Sequence, residues 1–309
     1  MAGNTCFQKG FLTMAYGEKY CKLAEHLYMS YKLFGNCDYP FYCITNQASA
    51  ERLGKVFDGV IVKDNFVKST SDKLMFFTDN PFDESVFIDS DCSIVNDVNY
   101  IFEEFEQNGS PISAVADYRE LSNPEKGAQF GINAIKELGI THDFPNFNGG
   151  VYYYKKCPAA EACKQFIFDT IMPNYNHFGL RVRDNGAFAG EPPVVLGMLK
   201  FGFTPVPPTK NIMYLVHNKA KVKWNMKKRT CSFRWYEYTV HPTIIHWTVG
   251  GTEKYRFEKY DAKVRGQFEH RGRRWIKKRE FLSFVKYYIY PKLLKVFPGL
   301  RKKAQKYKD

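Results

Sequence analysis

The sequence predicts an α/β domain, a mostly parallel sheet flanked by helices, with a basic amphipathic helical extension at its C-terminal end. Three observations predict it. Short apolar β-type runs alternate with segments of helical period over most of the chain, the pattern of a sheet covered on both faces. One such run, Ser85–Ile88, ends in two carboxylates, Asp89 and Asp91, at the strand end where an α/β sheet places its ligands. The positive charge is concentrated in one terminal segment. From Arg271 to Asp309 there are 14 Lys or Arg against Glu280 and Asp309, a net of +12, so a whole-chain charge of +13 leaves only +1 for residues 1–270.

The elements follow in order. Phe11–Ala15 reads as the first strand, and a helix from about Tyr20 to Leu33 carries Leu23, Ala24, Leu27, Tyr28 and Tyr31 on one stripe. Gly35-Asn36 stops that helix, and Pro40–Thr45 is the second strand. Val60–Val62, entered through Gly59, is a short third strand. Ser71 is placed to cap a helix over Asp72–Phe77, after which Asn80-Pro81 turns the chain into the Ser85–Ile88 strand. Ile112–Ala116 and Gly149–Tyr154 read as further strands, separated by a polar, irregular insertion. Pro158–Ile171 and Pro192–Leu199 are helices with proline in the first turn. Pro205–Pro208 is a loop and Thr243–Trp247 a late strand. In the extension, Phe281, Phe284, Val285, Tyr288 and Ile289 recur at helical spacing, and Pro291 permits a second short helix ended by Pro298-Gly299. The expected division is a domain over residues 1–260 and a tail over 261–309.

Composition narrows the class. A chain of 309 residues with 44% apolar content can bury a sizeable core. No apolar run approaches the roughly 20 residues of a membrane span, and the first ten residues lack the apolar core of a secretory signal. The eight cysteines form no CxxC pair and read as reduced packing residues of a cytosolic protein. A near-neutral body argues against a nucleic-acid-binding domain.

Residues that carry chemistry are few. No G-x-G-x-x-G follows the first strand and no P-loop occurs, so a nucleotide diphosphate would need a metal and scattered donors for neutralisation. Alternate residues of a strand share a face, so Asp89 and Asp91 form half of a hard-cation site for Mg²⁺ or Mn²⁺. Each candidate also has an ordinary structural reading. Asp89 and Asp91 suit a turn, His246 a satisfied core histidine, and Tyr20 simple packing. Lys73 and Glu191 suit solvated helix charges, and Asn148 a turn into its strand.

In order and spacing the motifs resemble a family 8-type glycosyltransferase of the GT-A fold, over about Phe11 to Phe257. The resemblance extends to bacterial lipopolysaccharide galactosyl- and glucosyltransferases and to glycogenin-like enzymes. It rests on Met14-Ala-Tyr-Gly-Glu-Lys-Tyr20, Lys73-Leu74, Val86-Phe-Ile-Asp-Ser-Asp91, Phe147-Asn-Gly-Gly-Val151, Gly190-Glu-Pro192 and Ile244-Ile-His-Trp-Thr-Val-Gly250, with Lys254 downstream. It implies a metal-dependent enzyme that moves a hexose from a nucleotide-sugar, usually a UDP-sugar, with retention of configuration. It further implies that Asp89, Asp91 and His246 ligate Mn²⁺ or Mg²⁺, and that Tyr20 stacks on or borders the base. Lys73 would contact the nucleotide or diphosphate, Lys254 the diphosphate, and Gly250 and Gly251 would admit the phosphates. Asn148 and Glu191 would face the donor sugar or the acceptor. Two positions depart from the family pattern. Gly17, with Glu18 beside it, stands where an acidic residue borders the base, and Glu191-Pro192 replaces an Asp-Gln pair, removing any side-chain amide at 192.

The basic aromatic tail suits docking on an anionic membrane, beside a lipid-linked or other saccharide acceptor at the cytoplasmic face. A helical hairpin packed on the body, or single-stranded nucleic-acid binding, are the other readings of the same segment. Two rival functions accompany the transferase. One is a nucleotidyltransferase or nucleotide-sugar hydrolase on a similar sheet. The other is a non-catalytic membrane- or nucleic-acid-binding protein.

Overall fold

A computed structural model describes residues 7–66, 70–119, 130–180, 189–216, 220–248 and 254–296. The chain begins with β1 (Phe7–Met14), α1 (Gly17–Phe34), β2 (Phe41–Thr45), α2 (Gln47–Gly54) and β3 (Gly59–Val62). A 3-10 turn (Thr70–Leu74) runs into α3 (Met75–Thr78), then β4 (Phe82–Ile88), β5 (Cys92–Ile94), α4 (Asn99–Asn108) and β6 (Ile112–Ala114). After β7 (Asp117–Arg119) come α5 (Ile132–Glu137), β8 (Phe144–Asn146), β9 (Val151–Lys155), α6 (Pro158–Phe166), a π-helical turn (Ile167–Ile171) and α7 (Glu191–Phe201). The last third holds β10 (Met213–Leu215), β11 (Lys223–Asn225), β12 (Thr230–Trp235), β13 (Tyr238–Val240) and β14 (Ile244–His246). It closes with α8 (Lys254–Phe268), α9 (Arg273–Phe284), a π turn (Val285–Ile289) and α10 (Tyr290–Val296).

The main sheet has the order β3-β2-β1-β4-β9-β6. Pairs β3–β2, β2–β1 and β1–β4 are parallel, and β9 runs antiparallel between β4 and β6. Strand alternation divides the core between two faces. Phe11, Val86, Ile88 and Tyr153 point into one cluster with α1, α4 and α8, whereas Leu12, Phe87, Tyr152 and Tyr154 point into the other with α3, α6 and α7. Both faces of β4 are therefore apolar, which explains the unbroken Val-Phe-Ile run. Each of these aromatic rings contributes roughly 2–3 kcal/mol by burial.

Beyond Ile88 the chain leaves the main sheet. Cys92 N–H donates to the Asp89 carbonyl at 3.0 Å, closing a turn from which β5 departs. β5 pairs antiparallel with β14, placing Cys92 opposite His246 and Ser93 opposite Ile245, and β10 completes this small sheet. The acidic pair thus sits on a turn between two sheets. It does not lie along one continued strand, so the turn, and not strand alternation, sets its geometry.

Several expected boundaries shift. The helix expected over Asp72–Phe77 is a 3-10 turn followed by the single turn α3. The helix expected over Pro158–Ile171 widens into π geometry from Ile167. The insertion expected to be irregular contains α5 and the β7–β8 pair among its described residues. In the tail, the π turn Val285–Ile289 runs straight into α10 at Tyr290, so the helix passes Pro291 without a break. A widened turn absorbs the hydrogen bond that proline cannot donate. α8 runs continuously from Lys254 to Phe268, across residue 260.

The described cysteines are all free, and most are buried. Among the described residues no helix is long and apolar enough to cross a membrane.

Candidate active site

The acidic turn draws side chains from three other segments. Lys73, on the 3-10 turn before α3, reaches Asp89 Oδ2 at 2.9 Å and donates to the Gly149 carbonyl at 2.9 Å. Its ammonium also lies 3.8 Å from Glu191 Oε1 at the start of α7. Glu191 Oε1 accepts from Gly149 N–H at 3.1 Å, tying α7 to the turn before β9. From the end of β14, His246 Nε2 lies 3.0 Å from Asp91 Oδ1 and 3.8 Å from Asp89 Oδ2.

Backbone bonds hold these groups in place. Asp89 N–H donates to the Gly150 carbonyl at 2.9 Å, and Trp247 N–H donates to the Asp91 carbonyl at 3.1 Å. The two glycines are required by space. A Cβ on Gly150 would lie 2.6 Å from His246 Nδ1, and one on Gly149 would lie 2.5 Å from Tyr152 Oη and 2.7 Å from Glu191 Oε1.

The electrostatics are those of a buried charge cluster. Burial lowers the proton affinity of Lys73, but the neighbouring Asp89 and Glu191 more than reverse this and hold its pKa above the usual value. Burial likewise works against protonation of His246, yet Asp91 and Asp89 outweigh it and its pKa rises. Asp89 itself is pushed up by burial, against the pull of Lys73 and His246. Three carboxylates face one lysine and one imidazole, so the cluster suits a further cation.

Two carboxylates and one imidazole nitrogen form a donor set that fits a borderline divalent ion such as Mn²⁺. His246 Nε2 already faces both carboxylates, so a metal there would displace a proton and leave the ring where it is. The buried Nδ1 makes no hydrogen bond among the described residues. The ligand atoms of Asp91, Cys92 and His246 also lie within 4.8 Å of one another. Burial drives the Cys92 thiol well above its ordinary pKa, so it stays protonated and is a poor ligand.

The structure therefore brings together Lys73, Asp89, Asp91, Glu191 and His246. Tyr20 stands on the first turn of α1, 47% exposed. Its ring centroid is 6.5 Å from that of Tyr16, whose hydroxyl donates to Asp72 Oδ2 at 2.8 Å, next to Lys73. Asn148 is exposed, and its carbonyl accepts from Gly150 N–H at 2.7 Å. Lys254 opens α8 and lines a groove of about 1080 Å³ with Glu18, Lys22, Arg265 and Trp275, to which none of the five clustered residues contributes. Gly250 and Gly251 lie outside the described residues. Sequence reasoning overlooked Tyr16 and Tyr152. The Tyr152 hydroxyl is buried beneath Gly149 without a hydrogen-bond partner among the described residues. The Tyr152-Tyr153-Tyr154 run was the available signal, since one of three consecutive strand tyrosines must differ in face from its neighbours.

No protein-family model matches the chain, and no curated protein matches it. Solved structures do match. The galactosyltransferase LgtC, in complex with donor and acceptor sugar analogues, superposes with a TM-score of 0.52 at 11% identity, covering 87% of this chain and 99% of that one. Mouse xyloside xylosyltransferase 1 gives a TM-score of 0.50 at 12% identity, covering 79% and 98%. The bifunctional glycosyltransferase WbbM gives 0.50 at 13% identity, covering 89% of this chain and 52% of its own, so the chain spans about half of WbbM. The chain has a GT-A fold. In this GT-A fold the acidic turn lies at the carboxyl end of the central strand, where β4 passes into the small sheet.

Proposed function

We propose that the protein is a metal-dependent glycosyltransferase that moves a hexose from a nucleotide-sugar, a UDP-sugar, to a saccharide or lipid-linked acceptor. The observation that carries this reading is the convergence of Asp89, Asp91 and His246 beside Lys73 and Glu191 on a GT-A fold. Asp89, Asp91 and His246 would hold a divalent cation, taken as Mn²⁺, whose charge would offset that of the donor diphosphate.

Lys73 orients Asp89 and adds its own positive charge beside the metal-binding carboxylates. Charge fixed in a site of low dielectric favours departure of a nucleoside diphosphate, because no solvent must reorganise. Glu191, held by Gly149 N–H, and Asn148 are the residues we assign to the donor or acceptor hydroxyls. Tyr20, with the Tyr16 ring beside it, borders the base. Lys254, with Gly250 and Gly251, is assigned to the diphosphate. Retention of configuration follows from the resemblance to family 8-type enzymes.

The C-terminal helices support a location at the cytoplasmic face of a membrane. α9 packs on α8 and leaves Phe281 and Leu282 exposed in a helix rich in Lys and Arg. Exposed apolar groups among cations suit an anionic bilayer.

The decisive experiment is calorimetry and turnover of UDP-sugars with and without Mn²⁺, on the wild type and Asp91→Asn. Metal-dependent binding that disappears in the variant, with slow release of UDP, is the expected outcome. A wild type without affinity for any nucleotide would overturn the assignment.

A further inference from the structure

Behind the acidic turn runs a chain of buried hydrogen bonds that the proposed reaction does not use. Trp247 Nε1–H lies 2.7 Å from Ser93 Oγ, Ser93 Oγ lies 2.6 Å from His26 Nε2, and His26 Nδ1 lies 3.1 Å from Asp261 Oδ1. Donor chemistry sets its direction. An indole N–H can only donate and an ionised carboxylate can only accept. Ser93 therefore accepts from Trp247 and gives its one proton to His26 Nε2, which leaves His26 neutral with its proton on Nδ1, directed at Asp261. Arg265 Nε–H closes the chain on the same Asp261 oxygen at 2.8 Å.

The spacing resembles that of a nucleophilic Ser-His-Asp set, but Ser93 and His26 are fully buried, and Trp247 and Phe257 pack around them. No substrate atom can reach Ser93 Oγ, so a hydrolytic role is excluded. What the chain does join is informative. Ser93 is two residues from Asp91 on β5, and Trp247 follows His246 at the end of β14. His26 belongs to α1, and Asp261 to α8, the helix on which the basic extension packs. Ser30 of α1 adds a second tie, accepting from Ile94 N–H at 2.9 Å.

We propose that His26 is a positioning residue, and that the chain Asp261–His26–Ser93–Trp247 sets the relative placement of Asp91 and His246 from α1 and α8. This rests on the metal-site reading for its functional consequence. The physical reason is register. β5 is an edge strand that pairs with β14 over only three residues, so few ladder bonds fix its position. Directional bonds from two helices to both strands remove that freedom, and they need no contact with the ligand. Partners that orient metal ligands from behind typically alter metal affinity by about 10–100-fold.

The test uses the full chain with Asp261→Asn and Ser93→Ala, both close in shape to the native residues. Tyr28→Phe serves as control, since it loses a 2.8 Å hydrogen bond to Asp58 elsewhere on α1. Amide hydrogen exchange at 92–94 and 244–247 should accelerate at least tenfold in the two variants and remain at the wild-type rate in the control. Mn²⁺ affinity, read from the electron paramagnetic resonance signal of the free ion, should fall about tenfold or more in the same two. Exchange and affinity equal to the control would overturn the inference. If the wild type itself binds no Mn²⁺, the metal-site reading fails, while the exchange data still decide whether the chain positions the strands.

Discussion

Lys73 Nζ lies 2.9 Å from Asp89 Oδ2, and the lysine side chain is only 7% exposed. A lysine is rarely buried to this degree unless its charge is matched. Here Asp89, Glu191 and the Gly149 carbonyl supply the match. Lys73→Met retains the aliphatic volume and removes the charge, leaving the Asp89 and Glu191 carboxylates together without it. The expected cost is about 3–5 kcal/mol, because breaking one half of a buried pair strands the other. Urea unfolding measures it, and a loss below roughly 1 kcal/mol would mean the pair is far better solvated than its geometry implies.

Gly150→Ala tests the close approach on the other side of the cluster. The new methyl would meet His246 Nδ1 at 2.6 Å, so either the ring or the turn before β9 must move. Overpacking of this kind costs about 1–3 kcal/mol. The larger expected effect is on ligand binding, a tenfold or greater loss of Mn²⁺ affinity by calorimetry. Unchanged affinity would show that His246 has room to retreat and still ligate.

The buried His26 gives stability a defined pH dependence. Burial holds its pKa below the ordinary value, with Arg265 acting in the same direction and Asp261 only partly opposing. In the unfolded chain it takes up a proton near the ordinary value of about 6.5. Below that value the unfolded state binds more protons, so stability falls as pH drops from about 6.5 toward the folded value. Asp261 adds to the acid loss at lower pH. Burial raises its pKa, but His26 and Arg265 outweigh burial and hold the carboxyl below its usual range, so its contribution is present above the ordinary carboxylate value and lost beneath it. His246, raised in the fold, contributes the opposite slope in wild type and variant alike. Unfolding midpoints between pH 7 and 5 should therefore decline less in His26→Gln than in the wild type. Parallel declines would place the histidine in contact with water.

The extension makes its own prediction. Glu258 of α8 accepts from Ser283 Oγ, Lys286 Nζ and Tyr287 Oη at 2.6–2.9 Å, which holds one side of the tail helix against the body. The opposite side leaves Phe281 61% exposed. Co-sedimentation with vesicles containing phosphatidylserine should weaken as salt rises, each cation near the surface contributing roughly 1 kcal/mol. Phe281→Asp should weaken it further at every salt concentration. Retention unaffected by salt or by that substitution would assign the exposed face to something other than an anionic membrane.

Much of this protein can be read locally. The order of strands and helices in the first half, the acidic pair at the end of β4 and the uneven charge all follow from residue periodicity and position, which depend on neighbours a few places away. The grouping of Lys73, Asp89, Asp91 and His246 was expected from motif order, and the fold brings these residues to one place. Other features arise between segments far apart in the chain. The departure of β5 to pair with β14, the reach of Glu191 to Gly149, the position of Lys254 in the groove beside α1 and the bonds from Asp261 to Trp247 each join segments tens to hundreds of residues apart. No local pattern encodes such contacts, because they are selected by how complete faces pack. Short elements show the limit most clearly. β5 and β14 have too few residues for a period to be recognised, and only the surrounding helices decide where they lie.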